Sequence, residues 1–276
     1  MSQSQAEKAE IFAALHERDG AFVIPNPWDI GTTRILEALG FEALATTSAG
    51  YAHSRGLRDG ANAIGREEML AHAREIVEAS DLPVSADLEN GFGDAPEDAA
   101  QTIRGAIGVG LAGASIEDAT MDPANPIYDK ALAVERIAAA VEAARTANFP
   151  FMLTARAENF IHGRPDLDDT IARLTAFEAA GADVLYAPGL RSLDQIRAVC
   201  EAVSKPVNVV AGLGGVAFTV AELSEAGVRR ISLGSTLSRL AFGAFIRAAK
   251  EMQEDGTFGF SADAVPYANL QDYMKG

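Results

Sequence analysis

Short apolar segments alternate with amphipathic segments along nearly the whole chain. Eight of the apolar segments have the length of buried strands, namely "GAFVIPN", "ALGFEALATTS", "SDLPVSADLE", "GVGLAGASIED", "ANFPFMLTAR", "AAGADVLYAP", "VSKPVNVVAG" and "EAGVRRISLG". Four contain a glycine that suits the left-handed position after a helix, and three contain a proline that suits the start of a strand. These residues are Gly40, Gly110, Gly181 and Gly227, and Pro83, Pro150 and Pro206. The pattern therefore predicts repeated units of helix, turn and strand.

The segments between the strands carry apolar residues at helical spacing. In "DLDDTIARLTAFEAAG", Leu167, Ile171 and Leu174 follow an i, i+4, i+7 pattern. Alternation of strand and helix predicts a parallel sheet, and a (β/α)8 TIM barrel usually takes about 250 residues. We therefore expect one α/β domain over residues 1–276, with an N-terminal helix in 1–19 and extra helices in 237–276. An open doubly wound sheet is the alternative, although "VIPNPWDIGTTR" after the first strand is not a glycine-rich dinucleotide turn.

The net charge of the chain indicates which kinds of binding partner to expect. The chain has 23 Lys and Arg against 39 Asp and Glu, a formal net charge of −16. Nucleic acids and anionic membranes favour clustered Lys and Arg, so we expect neither as a partner. The first residues, "MSQSQAEKAEIFAALHERDG", resemble an acidic amphipathic helix rather than a signal segment, which predicts a cytoplasmic protein.

Carboxylates concentrate where the third and fourth strands end. Asp87 and Glu89, in "SADLENGFGD", have strand spacing i, i+2 and are expected on one face, with Glu117 of "ASIED" on the adjacent strand. Such a group raises its own pKa values unless a hard cation with oxygen ligands is present. Because no His or Cys accompanies these acids, we predict Mg²⁺, with Mn²⁺ as a substitute, rather than zinc.

Other uses of the same residues stay open. The acids can cap helices and pair with Arg156, or two of them can act as the acid and base of a glycosidase, although 7% aromatic residues offer little for sugar stacking. Arg156 suits bidentate binding of a carboxylate or an ion pair with Glu158 or Glu117. The glycines of "AGLGG" and "LGST", after strands seven and eight, suggest a phosphate site as a competing reading.

Four blocks in order carry a resemblance to a known family. "TTSAGYAHSRGLRDG", "SADLENGFGD", "ASIED" and "LTARAENF" resemble blocks of the isocitrate lyase/phosphoenolpyruvate mutase superfamily, over nearly the whole chain. The resemblance implies an α/β barrel that acts on 2-oxo acids with Mg²⁺. It also implies a homo-oligomer, a dimer or a tetramer, in which the C-terminal barrel helix is swapped between subunits.

The resemblance also assigns roles to residues. It implies that Asp87 is the direct metal ligand, that Glu89 and Glu117 hold metal-bound waters, that Ser48, Ala49, Gly50 and Arg156 bind the substrate carboxylate, and that Asp59 is the acid near the reacting bond. Glu158 and Tyr186, at neighbouring strand ends, are predicted to complete the substrate site, and Asn125 is the candidate catalytic residue of the loop after strand four.

That loop departs from the family pattern. Isocitrate and methylisocitrate lyases carry a Lys-Lys-Cys-Gly-His segment there, whereas this chain has "EDATMDPANPIYDK", which argues against those two activities. The mutases and phosphonopyruvate hydrolases use a lysine, an asparagine and a small hydroxyl residue, and only Asn125 is present. We predict a lyase or decarboxylase that cleaves a C–C bond of a small 2-oxo or 2-hydroxy dicarboxylic acid through an enolate. P–C bond chemistry and a non-catalytic 2-oxo acid binding protein are the alternatives.

Overall fold

The computed structural model describes residues 3–60, 63–215 and 217–275. Its eight strands are parallel and follow the order β1-β8-β7-β6-β5-β4-β3-β2, which makes a nearly closed barrel. The strands are β1 (Phe22–Ile24), β2 (Leu44–Ala45), β3 (Val84–Asp87), β4 (Gly113–Glu117), β5 (Met152–Arg156), β6 (Val184–Tyr186), β7 (Val207–Val210) and β8 (Arg230–Ser232). The predicted single-domain (β/α)8 TIM barrel is confirmed.

Helices alternate with these strands around the barrel. They are α1 (Gln5–Glu17), α2 (Ile30–Ala38), α3 (Ser48–Ser54), α4 (Arg66–Glu78), α5 (Pro96–Gly108), α6 (Lys130–Ala144), α7 (Leu167–Ala179), α8 (Leu193–Ala202), α9 (Val220–Glu225), α10 (Thr236–Lys250) and α11 (Tyr267–Tyr273). Short 3₁₀ turns cover Leu213–Gly215 and Gly259–Asp263, and a π-helical turn covers Glu251–Asp255.

The glycines that were predicted to end helices do so. Gly227, between α9 and β8, has a φ of +96°, and a Cβ there would lie 2.9 Å from the Cβ of Cys200. A larger residue at this position is therefore excluded both by backbone conformation and by space. Gly40, Gly110 and Gly181 share the positive φ.

Helix α1 covers the amino-terminal end of the barrel. Its N-cap is Ser4, whose side chain accepts from the N–H of Glu7 in a capping box. Phe12 is fully buried and packs edge-on against Phe22 at the start of β1, with ring centroids 6.5 Å apart. Helix α1 does not cover the opposite end of the barrel, where the carboxyl ends of the strands lie.

One junction of the barrel is held differently from the rest. Between β1 and β2 the main-chain bond found among the described residues runs from the N–H of Ala45 to the oxygen of Pro25, at 3.0 Å. The Asn26 side chain reinforces it, because Nδ2 donates to the oxygen of Thr46 at 2.9 Å. Its Oδ1 accepts from the N–H groups of Leu233 and Gly234, which ties β1 to the loop after β8. We call this junction the β1–β2 seam.

The extra helices that were predicted in residues 237–276 are α10 and α11. Helix α11 begins only at Tyr267, because Pro266 before it cannot donate a helical hydrogen bond. On α10, Leu240 and Phe245 are 64% and 70% exposed. Across the described ranges, no helix is both long and apolar enough to cross a bilayer.

Candidate functional site

The carboxyl ends of the strands surround a cavity of about 180 Å³ that reaches into the barrel. Its polar lining consists of Asn26, Thr46, Thr47, Ser48, Asp59, Ser85, Asp87, Ser115, Arg156, Glu158, Tyr186, Asn208, Arg230, Ser232 and Ser235. This is the end of a barrel where catalytic groups are normally found. The predicted residues Ser48, Ala49, Asp59, Asp87, Arg156, Glu158 and Tyr186 all lie in the lining.

Arg156 is the centre of the charged cluster. Its Nη1 lies 2.7 Å from Oδ1 of Asp87, its Nη2 2.9 Å from Oε2 of Glu117, and its Nε 2.9 Å from Oε1 of Glu158. The guanidinium also lies over the ring of Tyr186, 5.2 Å from its centroid. Glu117, Arg156 and Tyr186 occupy paired positions on β4, β5 and β6, so strand register brings these groups together. The ion pairs that were weighed as an alternative use of Arg156 are therefore present.

Asp87 is fixed from two sides. Its Oδ2 accepts from the Oγ of Ser48 at 2.8 Å and from the N–H of Ser48 at 3.2 Å. Its own N–H donates to Oγ1 of Thr46 at 3.0 Å. Ser48 can therefore serve a substrate carboxylate only by exchanging these bonds with Asp87.

The turn from β2 into α3 explains the small residues there. The N–H of Gly50 donates to Oγ1 of Thr47, the N-cap of α3, at 3.2 Å. A Cβ on Gly50 would lie 2.6 Å from Cγ2 of Thr47 and 3.2 Å from Cβ of Trp28. Ala49 lines the cavity whereas Gly50 does not, so the packing role of Gly50 is visible and its predicted role in carboxylate binding stays a prediction.

The prediction that Asp87 and Glu89 share a strand face is wrong. Strand β3 ends at Asp87, and Glu89 lies in a turn with a φ of +47°, closed by a 2.9 Å bond from the N–H of Gly91 to the oxygen of Leu88. The side chain of Glu89 instead lines a small adjoining cavity of about 10 Å³, together with Asp59. The main-chain oxygen of Glu89 still accepts from the N–H of Glu117 at 3.0 Å, but the left-handed φ of Glu89 breaks the alternation of side chains.

The acids of the cluster raise one another's pKa values, as predicted. Burial, and then the charges of Asp87 and Asp59, raise the pKa of Glu89 to about 7. Burial also raises the pKa of Glu117 well above its ordinary value, although Arg156 opposes the shift. The pKa of Asp59 is raised by burial and by Asp87. The site therefore brings together more carboxyl groups than the single guanidinium of Arg156 balances.

The donor set decides whether a divalent cation fits. Among residues 3–60, 63–215 and 217–275, no three carboxylate, imidazole or thiol groups form a ready-made metal cage. Mg²⁺ does not require one, because it usually binds one or two carboxylates and keeps several waters. Asp87 and Glu117 share Arg156 as a partner, and the Glu89 carboxylate accepts no hydrogen bond from another described residue. We conclude that these carboxylates fit a hydrated divalent cation.

A buried ion-pair chain that the sequence did not reveal supports the cluster from behind. Oδ1 of Asp118 accepts from the N–H of Glu158 at 2.8 Å, and its Oδ2 lies 2.9 Å from Nη1 of Arg173. Arg173 also donates to Oδ2 of Asp169 at 2.7 Å and to the oxygen of Tyr128 at 2.8 Å. The i, i+4 pair of Asp169 and Arg173 on α7 was the available signal, but such pairs are usually solvated.

The structure does not bring Asn125 to the cluster. Its Nδ2 donates to Oδ2 of Asp122 at 3.0 Å, and its N–H donates to the oxygen of Asp122 at the same distance. The loop is fastened at its base by an antiparallel bridge between Ala119 and Ile127. Asn125 is exposed and outside the cavity lining, so its catalytic role stays a prediction.

At the phosphate site that was considered as an alternative, in the loop after β8, two main-chain N–H groups already have a partner. The N–H groups of Leu233 and Gly234 already donate to Asn26, at 2.8 and 3.0 Å. A phosphate at this loop would have to displace the side chain that stabilises the β1–β2 seam.

Comparison with known proteins gives the family. The family model described as phosphoenolpyruvate phosphomutase matches residues 12–253. The crystal structure of a candidate lyase/mutase from Burkholderia cenocepacia J2315 is 58% identical, with a TM-score of 0.96, covering 99% of this chain and 97% of that one. The 2-methylisocitrate lyase of Shewanella oneidensis is 31% identical over 241 residues, 82% of this chain and 80% of its own.

A third relative is known with a product bound. The structure of oxaloacetate acetylhydrolase in complex with oxalate is 26% identical, with a TM-score of 0.87, and covers 98% of this chain and 94% of that one. Together with the family match, these similarities agree with the four sequence blocks. The chain belongs to the phosphoenolpyruvate phosphomutase family, within the isocitrate lyase/PEP mutase superfamily.

Proposed function

We propose that the protein is a divalent-metal-dependent carbon–carbon lyase, of the carboxy-lyase or oxo-acid-lyase type. Its substrate is a small 2-oxo or 2-hydroxy dicarboxylic acid, and its metal is Mg²⁺, with Mn²⁺ as a substitute. The observation that carries this proposal is the excess of buried acid around Arg156 at the cavity. The names of two relatives refer to oxaloacetate and 2-methylisocitrate, which supports a small acid as the substrate class here.

Asp87, with Glu89 and Glu117 through water, would hold the cation. When bound, it would supply Lewis-acid stabilisation of the negative charge that forms on a substrate oxygen as the bond at C3 breaks. Arg156 has five N–H donors; Nε donates to Glu158, Nη1 donates to Asp87, and Nη2 forms an ion pair with Glu117, so at least two donors remain for the substrate carboxylate. Ser48 would add its hydroxyl and N–H by releasing Asp87.

Asp59 is the proposed acid near the reacting bond. It lines both the main cavity and the small cavity that holds Glu89. Because burial and Asp87 raise its pKa, it holds a proton at its carboxyl oxygen to a higher pH than an exposed Asp does. We propose that the loop of residues 119–130 closes over the cavity to exclude water and that this closure brings Asn125 to the substrate.

A P–C bond mutase or hydrolase is the second candidate, because the matching family model is described as phosphoenolpyruvate phosphomutase. The same residues would hold a phosphonopyruvate-type substrate. The two candidates differ only in the group attached at C3, so a substrate screen separates them. Binding without turnover of any of the acids would favour the third candidate, a non-catalytic 2-oxo acid binding protein.

The proposal is tested by an NMR screen for product release with and without Mg²⁺. The candidate substrates are oxaloacetate, 2-methylisocitrate, malate-type 2-hydroxy acids and phosphonopyruvate. We expect metal-dependent cleavage of one of the C–C substrates. Release of product from phosphonopyruvate alone would reject the lyase in favour of the second candidate.

Asp87→Ala should abolish metal-dependent ligand binding, whereas Asp194→Ala, which removes a carboxylate that is 94% exposed, should leave it unchanged. Retained binding with normal metal dependence in Asp87→Ala would contradict the proposed site. Asp59→Ala should slow turnover by about 10²- to 10⁴-fold and leave metal binding largely intact, as expected for a general acid. Equal loss of both would make Asp59 structural.

We further propose a homo-oligomer, a dimer or a tetramer, in which the C-terminal helices pack on another copy. Phe245 and Ile246 of α10 and Phe258 and Tyr267 beyond it are between 52% and 79% exposed, an apolar surface that favours association. Light scattering should give at least twice the mass of 29.0 kDa, and a monomer would refute this. A cytoplasmic location and the lack of nucleic-acid or membrane partners remain predictions from the sequence.

A further inference from the structure

The interior of the barrel contains a buried cation that the proposed chemistry does not use. Arg230 opens β8, and only 5% of its surface is exposed. Its Nε donates to Oδ1 of Asn208 at 2.9 Å and its Nη2 donates to Oγ1 of Thr154 at 2.9 Å. Its Nη1 lies 3.5 Å from Nε2 of His16. All of these partners are neutral or cationic groups.

No carboxylate balances this charge within the part of the chain that the structure describes. None of the ion pairs there includes Arg230, whereas Arg156 in the same cavity has three acidic partners. Burial lowers the pKa of Arg230 to about 10, which leaves it charged at neutral pH. A buried charge without a partner is costly, so the position favours an anion from outside the chain.

The surroundings of Arg230 are open to such an anion. The interior of a TIM barrel is normally filled by layers of Val, Ile and Leu. Here Ser85 and Ser115 face the cavity instead, and neither hydroxyl is hydrogen-bonded to another residue in the described ranges. One cavity therefore connects Arg156 near its mouth with Arg230 inside the barrel.

We propose that Arg230 binds the second acid group of the substrate and selects a small diacid over a monoacid. One carboxylate lies at Arg156 and the other reaches Arg230, with the hydroxyls of Ser85 and Ser115 facing the same space. The placement of the first carboxylate rests on the proposed function. Arg230 is a specificity residue in this proposal and takes no part in breaking the bond.

A purely structural role is the competing explanation. Arg230, Asn208 and Thr154 form a network that could serve only to fill the barrel. Such a role makes no distinction between ligands that differ in charge at one end. The test therefore compares two ligands rather than two proteins alone.

The ligands are 3,3-difluorooxaloacetate, a diacid, and 2-oxobutyrate, in which a methyl group replaces the second carboxylate. Binding of each to the full chain with Mg²⁺ is measured by calorimetry. The variants are Arg230→Gln, which keeps a hydrogen-bonding side chain, and Arg230→Lys, which keeps the charge if the first fails to fold. The control is Arg229→Gln, the same change one residue earlier, at a half-buried arginine that lines a separate cavity with Glu17 and Met152.

Wild-type protein should bind the diacid at least about 30-fold more tightly than the monoacid, because truncating one partner of a buried charge pair has effects of at least this size. Arg230→Gln should remove most of that preference and leave 2-oxobutyrate binding unchanged, while Arg229→Gln changes neither. Arg230→Lys should retain part of the preference.

Three results would overturn the proposal: equal binding of the two acids by wild-type protein, binding of neither acid, or equal loss of both in Arg230→Gln. The results that would reject the proposed lyase function differ from the results that would reject the diacid site. A protein that forms no product but keeps an Arg230-dependent preference for the diacid would reject the lyase and retain the diacid site. Cleavage of a diacid with an unchanged KM in Arg230→Gln would reject the diacid site and retain the lyase.

Discussion

Replacing Arg173 by methionine removes the cation from the ion-pair chain behind Glu158. Methionine keeps much of the aliphatic stem of Arg173 and loses its bonds to Asp118, Asp169 and the oxygen of Tyr128. The side chain of Asp118 is only 1% exposed and that of Arg173 7% exposed, so water cannot replace the lost partner. Asp118 would then be a buried acid held by the N–H of Glu158 alone.

The burial of this pair sets the expected magnitude. Removing one partner of a buried ion pair costs about 3 to 5 kcal/mol, whereas exposed pairs contribute about 0 to 1 kcal/mol. Burial already raises the pKa of Asp118 to about 6, against the bonds from Glu158 and Arg173, and the variant raises this pKa further. Below its folded pKa the carboxyl is neutral and needs no cation. The full loss is therefore expected at pH 8 and a smaller loss at pH 5.

Urea unfolding at these two pH values measures the effect. The matched control is Arg197→Met, whose partner Asp194 is 94% exposed and whose loss should change the free energy of unfolding by about 1 kcal/mol or less. If Arg173→Met loses no more stability than Arg197→Met at pH 8, the reasoning from burial is wrong. If the loss in the free energy of unfolding of Arg173→Met is as large at pH 5 as at pH 8, the charge of Asp118 does not contribute to it as proposed.

Two further changes test the site itself. In metal-free protein the folded pKa of Glu89, about 7, lies above its ordinary value of 4.5, so ionisation destabilises the fold increasingly as pH rises from 4.5 to 7. Glu89→Gln should therefore raise the free energy of unfolding by about 2 to 3 kcal/mol at pH 8 in chelator and by almost nothing near pH 4.5, and a pH-independent gain would contradict this. Gly50→Ala should lower stability by about 1 to 3 kcal/mol in thermal unfolding, because the added Cβ would lie 2.6 Å from Cγ2 of Thr47. Gly31→Ala in α2, whose Cβ would meet atoms only at 3.4 Å or more, should be neutral or stabilising, and similar effects of the two changes would refute the packing argument.

The sequence predicted the barrel because its cues were local. Gly181 has a φ of +101° where the pattern required a helix to end, and Arg156 and Glu117 share a register position because they end adjacent strands. The position of Glu89 was not predictable in the same way, because β3 ends at Asp87 although β4 continues to Glu117, and the sequence does not mark that point. The i, i+2 spacing of Asp87 and Glu89 therefore predicted that both side chains lie on one face of the strand, but Glu89 lies in a turn and its side chain does not.

The interior charge was missed for a different reason. Strands of a parallel barrel are buried on both faces, so alternation does not tell which residues point inward. "VRRISLG" offered two adjacent arginines, of which Arg230 enters the barrel and Arg229 does not. The position of Asn125 outside the cluster was also not visible in the sequence, because the bonds to Asp122 shape its loop locally. A single sequence does not reveal such a side-chain contact.

The β1–β2 seam has a consequence for how water reaches the interior. A closed barrel resists opening because each strand is secured by its neighbours on both sides, yet here the wall depends on the Ala45 amide and the Asn26 side chain. Ile24 and Ala45 stand on either side of this junction and both face the cavity. The barrel wall should therefore open first at the β1–β2 seam, so that the Ala45 amide exchanges with deuterium sooner than the amides of the central strands. Local opening of this seam would then set how fast water enters the cavity.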